Sequence, residues 1–140
     1  MSAELRARGG CLCGGVRYEV RGPLREVMAC HCAQCRKTSG HHVAATQARS
    51  ADLVLTESGT LRWYRSSPSA ERGFCARCGG NLFWRAAAAG ESVSPAHTSI
   101  MAGTLDAPTG LTINQHIFVA DKSDYYEICD GAEQIAQWPD

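Results

Sequence analysis

The chain has 140 residues, 44% hydrophobic and 20% charged, which suits one globular domain over residues 1–140 rather than two. Its formal net charge is zero, so no basic surface for nucleic acid or an anionic membrane is expected. No apolar run approaches the ~20 residues of a membrane span, and the polar start Met1-Ser2-Ala3-Glu4-Leu5-Arg6 lacks a signal-peptide core, so a reducing cytoplasm is the expected compartment.

In chain order, Cys11-Leu12-Cys13-Gly14-Gly15 opens the recognisable pattern, and the alternation of Val16, Tyr18 and Val20 predicts a strand behind it. Gly22-Pro23 turns the chain toward Cys30-His31-Cys32-Ala33-Gln34-Cys35, and Ala33 to Thr38 reads as a short helical turn. Leu53 with Leu55 and Leu61 with Trp63 predict two strands around a turn at Ser58-Gly59. The soft stretch Ser66-Ser67-Pro68-Ser69 reads as a loop before Cys75-Ala76-Arg77-Cys78-Gly79. Leu82 with Trp84 predicts another strand, and Ala86 to Gly90 a loop. Beyond Pro108-Thr109-Gly110, Ile117 and Val119 alternate, Tyr125 to Ile128 reads as a strand carrying Cys129, and Ala132 to Gln137 as a closing helix. The expected fold is mostly β, with antiparallel sheets and one or two short helical turns, its short strands stapled by metal.

The eight cysteines carry the chemistry. In a reducing compartment they point to metal rather than to disulfides, and adjacent C-x-C pairs strain such bonds. Cys75-x-x-Cys78 flanked by Gly79 is a zinc knuckle, whose tight turn aims two sulfurs at one ion, and Cys11-x-Cys13 is a tighter clip. The two pairs supply the four ligands of a closed structural zinc. Cys30, Cys32 and Cys35 offer three sulfurs: in extended chain Cys30 and Cys32 share a face, and Cys35 returns to it through the next turn. Three protein ligands leave one tetrahedral position open. Three thiolates make an ion a poor activator of water but suit the capture of an incoming thiol as thiolate. Two Zn²⁺ per chain are therefore expected. The spacings miss the usual iron–sulfur patterns. Cys129 reads as a small buried strand residue; as a fourth ligand it would close the second site.

These three clusters, as Gly10-Cys11-Leu12-Cys13-Gly14-Gly15-Val16-Arg17-Tyr18, Cys30-His31-Cys32-Ala33-Gln34-Cys35-Arg36-Lys37 and Arg72-Gly73-Phe74-Cys75-Ala76-Arg77-Cys78-Gly79, resemble the glutathione-dependent formaldehyde-activating family. Gly103-Thr104-Leu105-Asp106, His116-Ile117-Phe118-Val119, Tyr126-Glu127-Ile128 and Asp130-Gly131 extend the resemblance over about Gly9 to Gly131. It implies a β-tent fold, structural zinc on Cys11, Cys13, Cys75 and Cys78, and catalytic zinc on Cys30, Cys32 and Cys35. It also implies carbon–sulfur lyase chemistry in which glutathione and formaldehyde give S-(hydroxymethyl)glutathione. The same resemblance reaches a centromere-associated vertebrate protein, so a non-catalytic zinc adaptor or interaction module is the second expectation.

Around the open site, Arg36 and Lys37 directly follow the third sulfur and are the candidate contacts for a substrate carboxylate. His31 is expected to point away from the sulfurs between which it lies. His41 and His42 read as a surface pair, His97 as uninvolved, and His116 as a hydrogen-bonded structural residue. Trp63, Tyr64, Phe74, Phe83 and Trp84 read as core rather than as a substrate platform.

Overall fold

The computed structural model describes residues 4–87 and 96–138. In chain order its strands are β1 (Ala7–Gly10), β2 (Arg17–Val20), β3 (Val27–Cys30), β4 (Val43–Arg49), β5 (Leu53–Glu57) and β6 (Leu61–Ser67). These are followed by β7 (Ala70–Cys75), β8 (Asn81–Ala86), β9 (His97–Met101), β10 (Ile113–Ile117) and β11 (Glu133–Gln134). A single α-helix, α1 (Ala33–Ser39), stands among the described residues beside three 3-10 turns. The chain divides into two compact units, one formed by the segments up to Arg25 and Thr46–Thr109, the other by Glu26–Ala45 and the chain from Gly110. β4 carries the chain from the second unit into the first.

The first unit holds an antiparallel sheet of order β1-β2-β5 and an antiparallel meander β9-β8-β7-β6. On β2 the alternation does what the sequence implies. Tyr18 and Val20, with the preceding Val16, are buried, while Arg17 and Glu19 reach outward to Asp106 and to Arg8 and Arg21. Tyr18 packs edge-on against Phe83, ring centroids 5.4 Å apart, and bonds the Thr104 hydroxyl at 2.7 Å. This placement requires Gly9, since a Cβ there would lie 2.3 Å from the Tyr18 hydroxyl oxygen. Leu82, Phe83 and Ile100 complete this core.

Other alternations mark strands without marking core. β5 pairs with β2 on one side, and its Val54 and Leu55 are 44% and 40% exposed. Of the aromatic residues expected in the core, Phe83 is buried, whereas Trp63, Phe74 and Trp84 are half-buried and Tyr64 is exposed. Tyr64 departs from expectation because β6 lies at the end of the meander, with Arg62 and Tyr64 facing outward. The Ser66–Ser69 stretch forms the β6–β7 hairpin. Of the expected Ala86–Gly90 loop, Ala86 closes β8, and residues 88–90 fall outside those described.

The second unit is built on β3, which pairs antiparallel with the start of β4 and parallel with β10, while β10 pairs parallel with β11. Ala29 is in register with His116, and Cys30 with Ile117. The parallel pairs qualify the antiparallel expectation. Two expectations fail in this unit. Ala132 to Gln137 forms no helix, because its backbone bonds β10 and the turn after it: Ile135 N donates to His116 O, while Ile135, Ala136 and Gln137 carbonyls accept from Val119, Ala120 and Phe118. Continuing a helix would forfeit these bonds, so pairing overrides local propensity. Nor is Tyr125 to Ile128 a strand, and Cys129 is exposed rather than buried. Side-chain anchors shape that segment: Lys122 donates to the Tyr126 carbonyl, and Asp130 accepts from the Ala132 amide.

Candidate metal centres

Two groups of sulfurs stand out, each with its ligand atoms within 4.8 Å of one another: Cys11, Cys13, Cys75 and Cys78, and Cys30, Cys32 and Cys35. No disulfide joins any of the eight cysteines, and Cys129 belongs to neither group.

The first group is made by two turns. Cys11 and Cys13 flank the fully exposed Leu12, and the Val16 amide donates to Cys11 Sγ at 3.3 Å. Cys75 ends β7, and Gly79, at φ 78°, closes the knuckle by donating its amide to the Cys75 carbonyl. The amides of Arg77 and Cys78 both point at Cys75 Sγ, each at 3.4 Å. Cys13 Sγ lies 3.7 Å from Cys11 Sγ and 3.6 Å from Cys75 Sγ. Four sulfurs at Zn–S distances of ~2.3 Å lie about 3.8 Å apart in a tetrahedron, so this group fits zinc. Its electrostatics also suit thiolates. The Thr60 hydroxyl, aided by the Cys78 amide, draws Cys75 down to about 5. The Gly15 amide, and then the Arg77 guanidinium at 3.2 Å, lower Cys13. Burial raises Cys11. Arg77 and Thr60 were not singled out from the sequence, although Arg77 inside the knuckle was a readable signal.

The second group lies at the junction of β3 and α1. Cys30 ends the strand, and Cys32 is the N-cap of the helix, with φ −64° and ψ 162°, its sulfur accepting the Cys35 amide at 3.4 Å. The cap leads the chain round so that Cys35, buried in the first turn, rejoins the other two sulfurs. Gly40, at φ 84°, ends the helix by donating its amide to the Arg36 carbonyl. The Cys30 and Cys35 thiols, with the Cys35 and Gln34 amides, hold Cys32 well below the usual thiol range, while its bonds to Cys32 and Cys35 push Cys30 up. Three thiols this close disfavour one another's ionisation, and a divalent ion is what would allow all three to be thiolates. Three soft donors in this spacing suit zinc.

The neighbours of the trio form a histidine–tyrosine cluster. His31, between two of the sulfurs, is buried and turned away from them; its Nε2 lies 2.9 Å from His116 Nδ1, and its Nδ1 bonds the Tyr126 hydroxyl. Burial lowers His31 to about 4. His116 is buried and bonds Asp130 Oδ2 at 2.8 Å, as its expected structural role requires. His41 is exposed and bonds the Tyr125 hydroxyl. His42 is only half a surface residue: its Nδ1 is buried with no hydrogen-bond partner, and burial lowers its pKa. Arg36 is half-buried, its Nε without a hydrogen-bond partner, and its charge acts on the Tyr126 hydroxyl; Lys37 is exposed. His97 stands exposed on β9, in the first unit.

The sequence model of the family described as "Glutathione-dependent formaldehyde-activating enzyme" matches residues 6–121. The chain belongs to this family. The match takes in both sulfur groups and His116, and stops before Tyr126 and Asp130. This member of the formaldehyde-activating family is also similar in structure to a Rhodobacter sphaeroides protein whose crystal structure was a structural-genomics target. The two share 25% sequence identity with a TM-score of 0.56, over 71% of this chain and 88% of that one. No helix among the described residues is long and apolar enough to cross a membrane.

Proposed function

We propose that the protein is a zinc-dependent carbon–sulfur lyase-like enzyme that adds a small thiol, of which glutathione is the candidate, to an aldehyde and catalyses the reverse release. The observation that carries this reading is the contrast between the two centres. One group contains four sulfurs, whereas the other contains three and, among the described residues, has no fourth donor of the His, Cys, Asp or Glu type. The membership in the formaldehyde-activating family supports it.

In this reading Cys11, Cys13, Cys75 and Cys78 hold a structural ion, and Cys30, Cys32 and Cys35 hold a catalytic one. Zinc at the second centre supplies positive charge that keeps an arriving thiol deprotonated and nucleophilic. The protein's own part is positional. The α1 N-cap presents three sulfurs to one side and leaves the other side to substrate, and Arg36 and Lys37 meet the thiol's carboxylates. The balance is simple: the thiol loses its proton, a C–S bond forms as the carbonyl π bond opens, and the oxygen takes up a proton to give the hydroxymethyl adduct. Eight cysteines without disulfides fit a reducing, cytoplasmic setting.

Cobalt(II) substitution tests this reading, because its visible bands report the number of sulfurs bound. Millimolar glutathione or cysteine should shift the second site's bands toward a four-sulfur pattern with release of about one proton. Cys32→Ser should abolish the response and leave the first site's bands in place. Arg36→Ala should weaken carboxylate-bearing thiols more than neutral ones, by about 1–2 kcal/mol. No spectral change with any thiol would favour a zinc adaptor on the same fold.

A further inference from the structure

We propose that Tyr126, His31, His116 and Asp130 form a one-way hydrogen-bond chain that braces the Cys30–Cys32 segment in its metal-binding shape from the face opposite the sulfurs. The inference rests on reading Cys30, Cys32 and Cys35 as a metal site, and it assigns a role to residues outside that site.

The two faces follow from register. Ala29 is paired in parallel with His116, and Cys30 with Ile117. Side chains alternate along extended chain, so Ala29, His31 and His116 share one face and Cys30 faces the other. The contact between His31 Nε2 and His116 Nδ1 at 2.9 Å places both rings on that common face. The ladder continues past Cys30, since the His31 amide donates to the Ile117 carbonyl at 3.0 Å. His31 is thus gripped by its backbone and by both ring nitrogens, while the residues on either side of it supply metal ligands.

The direction of the chain is set at its far end. Asp130 is anchored through its other carboxylate oxygen, Oδ1, which accepts the Ala132 amide at 3.0 Å. His116 holds the Asp130 carboxyl below its usual range, so it is ionised at neutral pH and can only accept. His116 therefore donates Nε2–H to Asp130 at 2.8 Å. In the proposed direction the other ring nitrogen, His116 Nδ1, accepts Nε2–H of His31, and His31 Nδ1 accepts the Tyr126 hydroxyl proton. Every ring nitrogen in the chain is satisfied, and each imidazole has one tautomer. Partners of this kind orient the groups that bind a metal, and their loss commonly lowers metal affinity by about 10- to 100-fold. Here the braced element is the ligand-bearing backbone, held through a side chain pointing away from the ion. The brace also explains why His31, flanked by ligands, is turned away from the sulfurs.

The test compares the zinc affinity of the two sites in the full chain by chelator competition, with no thiol present. Asp130→Ala should weaken the second site about tenfold or more and leave the first within about twofold. Tyr126→Phe, which keeps the ring and removes the donor, should weaken the second site in the same direction by less. Long-range ¹H–¹⁵N spectra of the zinc-loaded protein at neutral pH should place the ring protons of both His31 and His116 on Nε2. Unchanged second-site affinity in both variants, equal loss at both sites, or a proton on His31 Nδ1 would overturn the proposal. If the wild-type cobalt site ignores thiols while Asp130→Ala still selectively weakens zinc, the enzymatic reading fails and the brace stands.

Discussion

Removing the metal from the first centre should destabilise the fold by an amount that the chain's own geometry sets. Cys13 and Cys75, whose sulfurs lie 3.6 Å apart, are separated by 62 positions. Treated as a cross-link across a loop of that length, the metal withholds about 4 kcal/mol of loop entropy from the unfolded chain. The second centre closes only the few residues from Cys30 to Cys35, worth about 2 kcal/mol on the same reasoning. Against a typical net stability of about 5–15 kcal/mol, the first loss is severe and the second tolerable. Metal–sulfur bonding adds to both, since structural zinc binding is itself folding free energy. Cys75→Ser should therefore lower the melting temperature by more than about 10 °C, and Cys32→Ser by clearly less. A strong chelator should abolish cooperative melting of the wild type. Far-UV circular dichroism with thermal melts, in buffer with and without added zinc, measures all three. If Cys75→Ser melts with the wild type, or if the fully demetallated chain keeps a cooperative transition at the native temperature, the cross-link argument is wrong.

The other predictions concern Tyr18 and Cys129. Burial pushes the Tyr18 hydroxyl up to about 12 from the ordinary 10.0 of a tyrosine, so its contribution to stability is complete below pH 10 and lost as pH rises through the folded value. Alkaline titration of stability should show a decline of roughly 2–3 kcal/mol over that window, flattened in Tyr18→Phe; an identical decline in both proteins would assign it to other groups. Cys129→Ser should retain two zinc ions per chain by metal analysis, because this exposed residue lies outside both sulfur groups; loss of one ion would make it a ligand and close the second site.

The parts of the molecule legible in the sequence are those whose partners are close along the chain or chemically unmistakable. Sulfur spacing gave the division into four and three, and the turn expected from Ala33 to Thr38 is α1, one residue longer. Alternation at Val16, Tyr18 and Val20 marks buried positions because β2 has a strand on each side and Phe83 above it. The same pattern in β5 and β6 identifies strands but not burial, since end strands leave side chains in water. Ala132 to Gln137 misled because helix-compatible composition carries no record of the carbonyl and amide partners that β10 offers. The chain from Tyr126 to Asp130 was invisible for a similar reason: His31 meets its partners 95 and 85 positions away, and no local pattern encodes a side-chain bond over that separation.

The unequal shelter of the first four sulfurs has a kinetic consequence. Cys11 and Cys75 are buried and Cys78 is half-buried, but Cys13 faces water. A competing ligand, an electrophile or a heavier thiophilic ion therefore meets one corner of the tetrahedron before the others. Opening the short clip around Leu12 is sufficient to begin exchange, with the β7 knuckle still in place. The lifetime of an ion held at this centre would accordingly follow the breathing of a single turn rather than unfolding of the sheet, so a firm staple and a tradable metal would be compatible in the same protein.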